Sequence, residues 1–230
     1  MSRAFSSSAE KDSPVKLIFL GAPGAGKGTQ AQRIAARFGI RHASTGDIFR
    51  QATAEGSELG RAVKGYLDSG QLVPDELTSR VVEELVVAKS DDYILDGYPR
   101  TLQQARDLDE MLGRRSQQLD LVLYFELDDA EAAKRLTGRL VCSKCGENYH
   151  REYMPPRASG VCDKCGGALR IRSDSSEEVV RRRLAEYHEK TRPLVAFYEA
   201  RRLLRRLDAS TTPDEVARRA EAVLKSVERR

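Results

Sequence analysis

Short apolar runs at Leu17–Leu20, Tyr93–Leu95, Leu121–Leu127 and Leu203–Leu207 punctuate the chain. Between them lie longer stretches with helical spacing, such as Leu77–Ala88 and Glu177–Glu189. Runs that are apolar throughout mark strands covered on both faces, and the longer period marks helices with one buried stripe. The alternation predicts an α/β fold: a parallel sheet flanked by helices. A first helix is expected over Gln30–Phe38, stopped by Gly39. The last is expected to start at Pro213 and run to Lys225, with Thr211 and Thr212 placed to cap it. No internal repeat is visible.

Residues 140–171 break this pattern, being rich in Cys, Gly and Pro with few aliphatics, and so read as an inserted module with its own means of staying folded. At 230 residues the chain is long enough to bury a full core, and no stretch approaches the ~20 apolar residues of a membrane span. The net charge of +4 is spread over many arginines, which suits anionic small molecules and nucleic acid equally and decides nothing alone. Residues 1–14 are Ser-rich and aperiodic, the expectation for a disordered tail without the apolar centre of a secretory signal. Arg3 and the serines have some likeness to a mitochondrial presequence, against which Glu10 and Asp12 count, so a cytoplasmic location is expected.

The first strand runs directly into Gly21-Ala-Pro-Gly-Ala-Gly-Lys-Gly-Thr29 and then into the first helix. A strand that ends in glycines and turns into a helix aims backbone N–H groups and the positive end of the helix dipole at one point, which is a phosphate cradle. Lys27 can then reach the β- and γ-phosphates of a bound nucleotide. Gly28 stands between Lys27 and Thr29, where the general pattern has the hydroxyl residue directly after the lysine.

All four cysteines lie in the inserted module, as Cys142-Ser-Lys-Cys145 and Cys162-Asp-Lys-Cys165 with sixteen residues between the pairs. Two such turns bring four thiolates together as tetrahedral Zn²⁺ requires, and the metal would supply folding energy that so few apolar residues cannot. Four protein ligands close the coordination sphere, so the zinc is expected to be structural. Disulfides are the competing reading, and nothing else in the chain points to an oxidising compartment. A basic zinc module attached to an ATPase that binds nucleic acid also stands at this point.

Three further segments complete the picture: Ala43-Ser-Thr-Gly-Asp-Ile-Phe-Arg50, Tyr93-Ile-Leu-Asp-Gly-Tyr-Pro-Arg-Thr-Leu-Gln-Gln104, and Arg172-Ser-Asp174 with Val180-Arg-Arg-Arg183. With the Lys-Gly-Thr variant of the phosphate loop, these resemble the adenylate kinases, in the long form whose lid carries a metal knot. The resemblance runs from about Val15 to the C-terminal helix.

It implies transfer of a phosphoryl group from MgATP to AMP, with Mg²⁺ arriving with ATP and zinc in the lid. It also implies a core of residues 15–43, 74–137 and 176–230, an AMP-binding flap of 44–73 and a zinc-binding lid of 138–175. Gly24, Ala25, Gly26, Lys27, Gly28 and Thr29 would hold the donor phosphates, with Asn148 and Tyr149 of the lid near the donor. Thr45 and Arg50 would contact AMP, and carbonyls of Gln71, Leu72 and Val73 would approach its adenine. Gly97 would do so too, Arg100 would grip the AMP phosphate, and Gln104 would hydrogen-bond the base. Tyr98 and Pro99 fall inside this acceptor segment, with a packing role as the competing reading for Tyr98. Arg135 and Arg139 stand at the entrance to the lid and Arg172 and Arg183 at its exit, so closure would gather four guanidiniums over the transferring group. Asp96 would hold Mg²⁺ through water or brace its loop, and His150 is assigned to lid structure.

Two departures from the family pattern stand out: Ser175, where a second aspartate is common, and Ala209, where a glycine commonly follows Asp. The first predicts a weaker lid contact, and the second leaves the choice between ATP and GTP as donor less secure than that of AMP as acceptor. A kinase for another nucleoside monophosphate is the nearest alternative; Thr45, Gln104 and the long lid favour AMP. Small-molecule substrates, no nucleic-acid or membrane partner and a monomer are expected.

Overall fold

The computed structural model describes residues 15–89 and 91–226, and the N-terminal tail expected from the sequence lies outside them. Five strands form a parallel sheet: β1 (Lys16–Gly21), β2 (Arg41–Ser44), β3 (Tyr93–Asp96), β4 (Leu121–Glu126) and, after three lid strands, β8 (Leu204–Asp208), in the order β2-β3-β1-β4-β8. Helices α1 (Lys27–Phe38), α4 (Asp75–Leu85), α5 (Leu102–Gly113), α6 (Asp129–Thr137), α7 (Glu177–Glu186), α8 (Pro193–Ala200) and α9 (Pro213–Ser226) belong with it. The order places the first strand in the centre, as a doubly wound sheet requires.

β1 shows why its apolar run is unbroken. Ile18 and Leu20 enter a core with Val82, Leu108, Leu112 and Tyr198 on one face. Leu17 and Phe19 enter a second core with Ile34, Phe125, Ala220 and Leu224 on the other. Alternate side chains of a strand point to opposite faces, so the middle of a strand covered twice, here Leu17–Leu20, has no polar position. β2 is not visible in the sequence pattern. It is a short edge strand with only Ala43 buried, so Arg41 and His42 interrupt the apolar signal that marks the central strands. α1 begins at Lys27, three residues before the expected start, and ends at Gly39, whose φ of 66° is the left-handed conformation expected of a glycine stop. Thr212 caps α9, its Oγ1 accepting from the amide of Glu215 at 3.3 Å.

Two segments project beyond the carboxyl edge of the sheet. One is the helix pair α2 (Thr45–Ala54) and α3 (Glu58–Ser69). The other is an antiparallel sheet of β5 (Arg139–Cys142), β6 (Asn148–His150) and β7 (Leu169–Ile171), with β5 in its centre. Among the described residues no helix is long and apolar enough to cross a membrane.

Candidate functional site

Strand register puts the motif residues side by side. Phe19 pairs with Asp96 between β1 and β3, and Ser44 pairs with Asp96 between β2 and β3. The glycine loop after β1, Thr45 after β2 and Gly97–Arg100 after β3 therefore emerge at the same carboxyl edge, where ligands of such sheets bind. Thr45 Oγ1 ties two of these loops together by donating to the Gly97 carbonyl at 3.0 Å.

The glycine loop is shaped by close approaches. Gly24 has φ +90°, and a Cβ there would stand 2.6 Å from the Ala132 carbonyl of α6. Gly28, the unusual residue of the loop, faces Asp96: a Cβ at 28 would stand 3.2 Å from Asp96 Oδ2. The Lys-Gly-Thr spelling thus leaves room for a carboxylate beside the lysine.

Lys27 Nζ donates to the carbonyls of Gly21 and Ala22, both at 2.8 Å. Burial lowers its pKa to about 7; Arg100, Arg139 and Arg183 push the same way, and Asp96 opposes them. Burial would raise the Asp96 carboxyl, but the hydrogen bond from His42, with Nε2 3.3 Å from Oδ2, and the Lys27 charge hold it below its ordinary value. Asp96 is therefore an anion at the floor of the cleft. The sequence singled out Asp96 but not His42, which lies in the edge strand with no motif around it.

Four arginines converge opposite Lys27. Arg139 is lowered to about 9, first by burial and then by the charges of Arg172 and Arg183. Arg100, Arg172 and Arg183 are lowered chiefly by burial as well, with Arg50 contributing repulsion to each. Asp174 is the carboxylate among them. Its oxygens accept from Arg172 Nε and Nη2 at 3.0 and 2.8 Å and from Arg183 Nη1 at 2.6 Å. One aspartate thus ties together the two arginines at the lid exit, and buried Ser175 adds no charge. This crowding of like charge is an anion-binding arrangement.

The cleft lined by the glycine loop also has Arg50, Arg100, Arg135, Arg139, Arg172 and Arg183 on its walls. Asn148, Tyr149, Leu72, Gly97 and Pro99 face it too. An adjoining cavity is lined by Thr45, Gln71, Val73 and Gln104, and it shares Arg50, Arg100 and Arg183 with the first. Gln104 arrives already bonded: Oε1 accepts from the Arg100 amide at 2.7 Å, and Nε2 donates to Asp75 Oδ1 at 2.8 Å. Its amide shapes the Arg100 loop, a role the motif alone does not reveal.

Tyr98 is the acceptor-segment residue that the structure turns away from both cavities. It is 1% exposed in the core, with its hydroxyl 3.0 Å from Ser79 Oγ and donating to the Gln104 carbonyl. Arg135 is held by Glu131 and donates to the carbonyls of Ala209 and Ser210 at 2.8 and 3.2 Å, bracing the loop after β8. Ala209 is fully buried there and needs no left-handed backbone, so alanine replaces glycine without strain. His150 serves the lid: Nδ1 accepts from the amides of Glu152 and Tyr153 at 3.0 and 3.1 Å.

The four cysteine sulfurs lie within 4.8 Å of one another. Cys142 and Cys165 are 3.5 Å apart and Cys145 and Cys162 3.6 Å apart, far beyond the ~2.05 Å of a disulfide. Four thiolates at ~2.3 Å from a tetrahedral zinc are about 3.8 Å from each other, so the quartet fits such an ion. Amides of Lys144 and Cys145 donate to Cys142 Sγ, orienting it for a cation.

Fold and cleft together define a P-loop nucleotide-binding protein: a parallel sheet with a glycine cradle and a converging set of cations at its carboxyl edge. The adenylate kinase family model matches residues 19–203. An adenylate kinase of Fervidobacterium nodosum is 50% identical over 206 residues, covering 88% of this chain and 94% of the relative. Those of Acidothermus cellulolyticus and Archaeoglobus fulgidus are 46% and 44% identical, each over more than nine-tenths of both chains. The chain belongs to the adenylate kinase family.

Proposed function

We infer that the protein transfers the terminal phosphoryl group of MgATP reversibly to AMP, giving two ADP. The observation that carries this reading is the pair of adjoining cavities: a phosphate cradle on one side, a smaller cavity at Thr45 and Gln104 on the other, and Arg100 and Arg183 on the walls of both. A protein that hydrolysed one nucleotide would have no use for the second cavity.

Phosphoryl transfer asks mainly for alignment and for charge to meet the oxygens of the transferring group. The amides of Gly24–Thr29 and the Lys27 ammonium would hold the donor phosphates. Arg100 would hold the acceptor phosphate from the other side, and Arg139, Arg172 and Arg183 would neutralise the group between them with a geometry that lysine lacks. Asp96 is anionic beside Lys27, where it can orient the water shell of the Mg²⁺ that enters with ATP. No general base is needed. Water competes as acceptor, so segments 44–73 and 138–175 would close as flap and lid before transfer.

The lid cysteines would hold one structural zinc, which keeps the small lid sheet rigid so that Arg139 and Arg172 arrive together. Asn148 and Tyr149 of that sheet line the nucleotide cleft, which supports a lid role over a nucleic-acid-binding one. A coupled assay with AMP, UMP, CMP and GMP as acceptors and ATP and GTP as donors tests the reading. Turnover with AMP far above the others is expected, and absence of turnover with AMP overturns it.

A further inference from the structure

The helix that carries Arg183 does not run straight into α8. Between them Tyr187–Thr191 form a single π turn, in which the Arg192 amide donates to the Tyr187 carbonyl at 2.8 Å, five residues back. Such a turn absorbs one extra residue and re-aims the helix beyond it. Arg183 and Thr191 are eight residues apart. In an unbroken α-helix, with about 100° per residue, they would point about 80° apart. Absorbing one residue makes the spacing equivalent to a heptad and returns them to within about 20° of one face. Both side chains line the cleft.

Thr191 is 6% exposed, and its hydroxyl donates to the Arg100 carbonyl at 2.8 Å. On the other side of the same residue, the Arg100 amide is held by Gln104 Oε1 at 2.7 Å. The turn itself is pinned at two more places. The Tyr187 and Tyr124 hydroxyls are 3.0 Å apart, and His188 Nε2 lies 2.7 Å from Asp129 Oδ2 at the start of α6.

We propose that Thr191 is a positioning residue for Arg100, and that the π turn exists to bring it there in register with Arg183. Thr191 touches no substrate in this role. It fixes the peptide plane from which the Arg100 side chain springs, so that this guanidinium and that of Arg183 face the acceptor phosphate together. The inference rests on the acceptor role given to Arg100 above.

Three variants test it by steady-state kinetics with AMP and ATP varied separately, beside melting temperatures. Thr191→Val keeps the shape and removes the donor, Thr191→Ser keeps the donor, and insertion of one alanine after exposed Glu189 adds a residue the π turn does not absorb and swings Thr191 about 100° off the cleft. Thr191→Val should raise the KM for AMP about fivefold, the worth of one hydrogen bond, with the KM for ATP unchanged. Thr191→Ser should match the wild type, and the alanine insertion should show the same AMP-selective defect. A Thr191→Val enzyme with the wild-type KM for AMP, an equal rise in both KM values, or a serine variant as impaired as valine would overturn the proposal. Should the valine variant not fold, Thr191→Ala against Thr191→Ser decides by the same comparison. Wild-type turnover with AMP separates the two levels: its absence sinks the proposed function, whereas an active wild type with indifferent variants sinks this inference alone.

Discussion

Binding of MgATP at pH 8 should draw close to one proton from solution, and Lys27 is the group that takes it. Burial, reinforced by Arg100, Arg139 and Arg183, lowers this amine to about 7 in the nucleotide-free protein. An ordinary lysine titrates near 10.4, and each tenfold change in acidity is worth about 1.36 kcal/mol. Charging Lys27 without an anion thus costs at most about 5 kcal/mol, an upper bound because one side of the cleft meets water. The polyphosphate supplies the missing negative charge and restores the ordinary pKa. At pH 8 the free amine would be about one-tenth protonated and the bound one fully so, giving an uptake of about 0.9 proton; at pH 6 the uptake falls to about 0.1. The same lowering makes the unfolded chain the better proton binder between about pH 7 and 10, so Lys27 contributes a stability that rises with pH across that window. Titration calorimetry in two buffers of different ionisation enthalpy measures the protons. Lys27→Met, which should also lose turnover by orders of magnitude, removes the lysine while leaving the titration of the nucleotide itself in place. Uptake at pH 8 no larger in the wild type than in Lys27→Met, or larger at pH 6 than at pH 8, refutes the reasoning.

Replacing Cys142 and Cys145 by Ser should release zinc and lower the melting temperature before it alters chemistry; metal analysis beside a melting curve checks this, and an unchanged curve shows the quartet to be dispensable. Gly60→Ala would put a Cβ 2.1 Å from the Ala52 carbonyl where α3 crosses α2. That overlap should cost about 1–3 kcal/mol in denaturant unfolding, and wild-type stability would show that the helix pair yields freely. Asp174→Asn removes the anion shared by Arg172 and Arg183 and should lower the melting temperature at neutral pH. Burial would raise the Asp174 carboxyl, but Arg183 and Arg172 hold it below its ordinary value. Its contribution is therefore present above ordinary carboxylate pKa values, about 3.9, and is lost as pH falls through the lowered one. The gap between wild type and variant should shrink on acidification, and a gap independent of pH would discard the ion-pair account.

Features written in local spacing were legible in the amino-acid order alone. The glycine loop, the paired Cys-x-x-Cys turns, the acceptor segment and the central strands each depend on neighbours within a few residues, because one turn or one strand run places them. Pairings across the chain were not legible. His42 meets Asp96 because β2 and β3 share a register, and β2 itself was hidden by the polar residues an edge strand tolerates. Tyr98 sits in the strongest acceptor motif yet faces the core, since its hydroxyl finds Ser79 of α4 and the Gln104 carbonyl. Residue order does not show that Asp174 serves Arg172 and Arg183 at once; the fold brings the two arginines to it. Sequence by itself determined which chemical groups are present and in what order they reach the carboxyl edge of the sheet. Only tertiary structure decided which of them face one another, because burial and long-range hydrogen bonding depend on segments that approach through the fold rather than along the chain.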